Sequence, residues 1–129
     1  MPELSSKQAN ELADMFLKMA QLTGNYRYNN SHILSETEDL QIQYYHTSLL
    51  NQAGQLYTES AALVMNDVEP AISSIENSTL KIKSSYRNLQ NVTKVINIVD
   101  SIVRLGSSIL SRKPLKIAEA IDDLANKLE

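Results

Sequence analysis

Two histidines and the carboxylates near them are the residues best equipped for chemistry in this 129-residue chain. His32 and Glu36 are four apart, and His46 lies seven beyond Asp39. On a helix that spacing gathers His32, Glu36, Asp39 and His46 onto one face, a set of nitrogen and oxygen donors of the kind that binds a metal. A di-metal site in a helical bundle needs Glu-x-x-His on two helices and a glutamate from each of two others. Glu-x-x-His occurs nowhere in the chain. The four residues therefore read as the polar face of a helix, and neither a metal nor a cofactor is expected.

Other routes to catalysis are equally bare. Serine is abundant, but Gly-x-Ser-x-Gly is missing, and a serine on a long helix is poorly placed as a nucleophile. Three scattered glycines build neither Gly-x-Gly-x-x-Gly nor a Walker-type phosphate loop. The chain has no cysteine, which excludes disulfides, thiol chemistry and cysteine-ligated metals together. No enzyme of a common class is expected. Tyr44-Tyr45-His46 can form a small recognition patch, although Tyr45 and Tyr86 fall on expected packing faces.

Charge is distributed unevenly. Tyr28 to Leu80 contains Glu36, Glu38, Asp39, Glu59, Asp67, Glu69 and Glu76 with no lysine or arginine. From Lys81 to Lys116 the sign reverses, with Lys81, Lys83, Arg87, Lys94, Arg104, Arg112, Lys113 and Lys116 against Asp100 alone. The net charge of −3 hides this asymmetry, which concerns partners and association rather than fold. With an acidic total and sparse basic residues, no nucleic acid is expected as a partner.

The elements that carry these residues read as helices. Leu, Ile and Ala supply the apolar bulk, there is one phenylalanine and no tryptophan, and the turn residues that sheets require are scarce. The expected fold is all-α: an elongated antiparallel bundle in one domain, with helices over about 3–23, 31–67, 70–111 and 114–128. Gly24 followed by Asn25 suits a helix stop, and Ser35-Glu36-Thr37-Glu38 suits a capping box. Gly54, inside the second helix, costs roughly 1 kcal/mol relative to alanine, for which close approach of another backbone is one reason. Pro70 suits the first turn of the third helix, and Pro114 that of the fourth. Ile75, Thr79, Ile82, Tyr86, Leu89, Thr93 and Ile96 form a 3-4 packing seam on the third helix; Val92, Val95, Val99, Ile102, Val103, Gly106 and Ile109 form a second row.

A short connection near residue 68 would fold the two long helices into a central hairpin, pairing position i with about 137 − i. The acidic and basic blocks would then lie alongside each other and favour the antiparallel direction. Lys94, Arg104, Arg112, Lys113 and Lys116 remain as a candidate outward surface. The expected function is non-enzymatic assembly through this hairpin, as a homo-oligomer or with a helical protein partner. The alternative is a membrane-associated or membrane-active helical protein, such as a component of a pore-forming or secreted system. It would bring the basic, aliphatic segment 92–117 to an anionic membrane surface. The opening residues lack a charged and then apolar leader pattern, so a cytoplasmic location is favoured.

Overall fold

Five α-helices and one short 3₁₀ helix make up the computed structural model, which describes residues 3–88 and 91–129. They are α1 (Ser6–Asn29), α2 (Glu36–Thr58), the 3₁₀ helix (Ser60–Ala62), α3 (Val68–Asn88), α4 (Val92–Leu110) and α5 (Pro114–Lys127). Two starts follow directly from capping chemistry. The Ser5 hydroxyl accepts from the Gln8 amide at 3.1 Å while the Gln8 side chain accepts from the Ser5 amide at 2.9 Å. The Ser35 and Glu38 pair repeats that reciprocal arrangement at 3.1 and 2.9 Å, and Glu36, Glu38 and Asp39 occupy the positive end of α2.

Side-chain contacts give the direction of each helix. Arg27, near the end of α1, meets Asp39, near the start of α2, at 2.8 Å, so these two are antiparallel. On α2 and α4 the partners rise together. The Tyr45 hydroxyl donates to Asp100 at 3.0 Å, the Gln52 amide to the Val103 carbonyl at 2.9 Å, and Arg112 meets Glu59 at 3.1 Å. These helices are parallel. Tyr26 and Tyr86 bring together the far ends of α1 and α3, with ring centroids 5.5 Å apart, while Leu4 bonds to Leu63 before both helices begin. Helix α5 returns along α4, where Ser101 donates to Asp123 at 2.9 Å, and it also packs on α3. The helices thus form a ring in the order α1, α2, α4, α5, α3. Phe16, Leu12, Met19, Ile42, Leu49, Ile75, Ile82, Ile98 and Ile102 are fully buried inside it.

All-α character is as expected; several boundaries and the hairpin are corrected. The expected helix over 70–111 is two helices, α3 and α4. Asn91 caps the second by accepting from the Lys94 amide at 3.1 Å, so the two apolar rows belong to separate helices. The expected helix over 31–67 is confined to α2. Beyond it the chain turns through the 3₁₀ helix and extends, burying Leu63 and Met65 beneath the bundle. Pairing at 137 − i is replaced by parallel packing of α2 on α4, because the break allows α4 to run back beside α2. Gly24 does not stop α1, which continues to Asn29. A methyl group there would come within 2.9 Å of the His46 ring, so this glycine serves close approach of α1 and α2.

Candidate interaction surface

The charged residues singled out from sequence do not form one surface. Lys94 is exposed in the first turn of α4, whereas Lys113 and Lys116 are exposed at the opposite end, around the start of α5. Arg104 pairs with Asp100 one turn away at 2.8 Å, and Arg112 pairs with Glu59. Among the described residues, Arg112–Glu59 is the one ion pair joining the acidic and basic blocks. Asp39 pairs with Arg27 instead, and that guanidinium holds its carboxyl below the usual range. The aliphatic face of segment 92–117 is spent on the core: Val95, Ile98, Val99, Ile102, Leu105 and Ile109 are all buried. No helix among the described residues is long and apolar enough to cross a membrane.

The packing seam divides at the break. Ile75, Thr79, Ile82 and Tyr86 are buried on α3, while Leu89 lies outside the described residues. Thr93 is exposed and Ile96 half-buried, because the inward face of α4 is formed by Val95, Val99, Ile102, Gly106 and Ile109 of the second row, whose other members Val92 and Val103 are half-buried. Gly106 has a specific reason to be there: a methyl group would stand 2.2 Å from Gln52 Oε1. The bare backbone admits the buried Gln52 side chain, whose amide also donates to Ser107 at 3.2 Å. Above Gly54, by contrast, there is open space, so no backbone approaches it within this chain.

His32 precedes α2, exposed in the turn after α1, and so never shares a face with His46. His46 is half-buried against Gly24, and burial, with help from Arg27, pushes its imidazole below the ordinary value. No group of three or more potential metal ligands occurs among the described residues.

A different surface stands out. Between Asp39 and Glu59 the sequence has no Asp, Glu, Lys or Arg, and this stretch is nearly all of α2. Its inner side buries Ile42, Leu49, Gln52, Ala53 and Leu56. Its outer side exposes Leu40, Gln43, Thr47, Leu50, Gly54 and Tyr57 at alternating spacings of three and four, with Tyr44 beside them. Leu40 is 57% exposed, Tyr44 68% and Leu50 42%. At the rim, Tyr57 donates to Asp14 of α1. A solvated helix normally carries charge on its outer face. The charge gap was legible in the sequence; that its apolar residues divide between two faces was not. Tyr45 bonds Asp100 while Tyr44 points outward, so the expected distinction between these neighbours holds. Among known proteins, no family model, curated sequence or solved structure matches the chain.

Proposed function

We propose that this protein is a non-enzymatic helical assembly module that pairs with a second copy of itself through the outer face of α2. The observation that carries this reading is the coincidence of an uncharged stretch with an exposed 3-4 seam from Leu40 to Tyr57. A two-fold interface sets one patch against itself, so any net charge there repels its own copy; a neutral patch does not. It equally gives a charged partner nothing to pair with.

Antiparallel pairing at i + j = 97 suits the side chains. Leu40 falls opposite Tyr57, Thr47 opposite Leu50, and Gln43 opposite the open space above Gly54. At the two inner pairs a larger group then meets a smaller one or a gap, as knobs meet holes, while Leu40 and Tyr57 set two apolar side chains together at each end. The seam is about 26 Å long at 1.5 Å per residue. One helical face of that length is smaller than the roughly 800 Å² per partner of a standard interface, so association is reversible.

Sedimentation velocity over a range of concentrations tests this reading. The wild type forms a dimer that high salt leaves intact. Leu50→Glu, which sets a charge into the seam from both copies, weakens it at least about tenfold, or about 1.4 kcal/mol, with unchanged helicity. A strict monomer at every concentration, or a dimer indifferent to Leu50→Glu, refutes it.

A further inference from the structure

The uncharged stretch of α2 contains one group that can acquire a charge near neutral pH. From Leu40 to Thr58 the sequence holds no Asp, Glu, Lys or Arg and a single histidine, His46. Among unperturbed side chains only histidine changes charge between about pH 5 and 8. The neutrality of this face is therefore conditional on pH, and one residue sets the condition.

Position decides whether that charge matters. His46 follows Gln43 by three residues and precedes Leu50 by four, so it borders two members of the exposed seam on the side of α2 that meets α1. Its ring is half-buried against Gly24, where an added methyl would stand 2.9 Å from both Cε1 and Nε2. Seated on that backbone, the imidazole has no space to retreat further from the seam. Arg27 is the α1 side chain whose charge acts on it, and a guanidinium disfavours a second cation. Asp39, the acidic residue nearest to it along α2, is held by the same Arg27 at 2.8 Å. Farther along α1, Asp14 accepts from Tyr57 near the other end of α2. On the α4 flank, Asp100 accepts from Tyr45 at 3.0 Å and pairs with Arg104 at 2.8 Å. Among the described residues no carboxylate lies within ion-pair distance of His46. A proton taken up here adds an uncompensated positive charge.

We propose that pairing through the outer face of α2 is switched by pH through His46: the neutral ring completes the uncharged seam, and the protonated ring separates the two copies. This rests on the self-pairing proposed above. At i + j = 97, His46 falls level with Asn51 of the second copy. A two-fold axis sets like flanks together, so both His46 side chains lie on one side of the seam, about 7.5 Å apart along it at 1.5 Å per residue. Two imidazolium groups that close repel each other, and closing the seam strips water from both. Linkage fixes the sign. Each copy binds its proton less readily in the dimer than alone, so acid favours separation. Burial and Arg27 already push the imidazole below its ordinary 6.5, which sets the transition on the acid side of that value.

Sedimentation velocity of the full chain at about pH 7.5 and about pH 5 tests the switch, with helicity followed at both. The wild type pairs at the higher pH and at least about fivefold more weakly at the lower. His46→Gln, neutral throughout, pairs equally at both, and His32→Gln, in the turn before the seam, keeps the wild-type dependence. A second readout needs no variant. Because linkage is reciprocal, the His46 imidazole, followed by NMR, titrates at lower pH in concentrated than in dilute wild type. A dimer equally strong at both pH values, or a titration independent of concentration while the dimer forms, overturns the switch and leaves the pairing standing. Acid weakening that survives in His46→Gln overturns it as well. A strict monomer at the higher pH overturns the pairing and the switch together.

Discussion

Gly106 and Gly54 are both helical glycines with opposite surroundings, and they make opposite predictions. Replacing either with alanine gains roughly 0.5–1 kcal/mol of helix propensity. At Gly54 no heavy atom lies within 4 Å of the added methyl, so Gly54→Ala raises the melting temperature. At Gly106 the methyl displaces the buried Gln52 and breaks its bonds to Val103 and Ser107. Each such bond contributes about 0.5–1.5 kcal/mol, so Gly106→Ala lowers stability by about 1 kcal/mol net, measured by urea unfolding. His46 supplies the pH dependence. Its folded pKa lies below the unfolded value of about 6.5, so the unfolded chain takes up the proton first as pH falls. The stability associated with neutral His46 is complete above that unfolded value and is lost as pH falls through the folded one. A melting-temperature series across this window shows the step in the wild type and its loss in His46→Gln. Asp39 and Asp123 also have lowered values and act in the same direction, in the acid range below about 4.

Helix starts were the most legible elements, because a cap is a local chemical arrangement. The Ser35 box was readable from four consecutive residues and is present with both bonds. Ser35→Ala removes the acceptor for the Glu38 amide and costs about 1 kcal/mol, seen as a lower urea midpoint; an unchanged midpoint contradicts the capping account. Helix ends and breaks were less legible. Gly24 has the composition of a stop, but its role depends on His46, twenty-two positions later in the chain. The interruption before α4 was hidden because both apolar rows keep 3-4 spacing. The shift from the Ile82–Tyr86 row to the Val95–Val99 row resembles the drift of a long helix, and Asn91 as a cap is its one local signal. Leu40 and Leu115 are large apolar side chains on helices, yet they are 57% and 70% exposed. Apolar type alone does not say which of two faces a residue occupies.

The whole molecule is a ring in which α2 lies parallel to α4, and that topology changes the meaning of the charge asymmetry. A hairpin would have set the acidic block against the basic one; in the ring they meet at Arg112–Glu59 among the described residues. The basic residues are instead dispersed over α3, α4, the turn that follows and the start of α5. What remains unusual at this scale is the uncharged outer side of α2 between its acidic start and Glu59. That face is expected to meet its own copy. Backbone amide NMR spectra of the full chain, recorded on serial dilution, test this most directly because they locate the contact as well as detect it. Concentration-dependent shifts confined to Leu40 through Thr58, and largest around Thr47 to Gly54, are predicted. Spectra that do not change with concentration, or shifts centred on Lys94, Lys113 and Lys116, would contradict it.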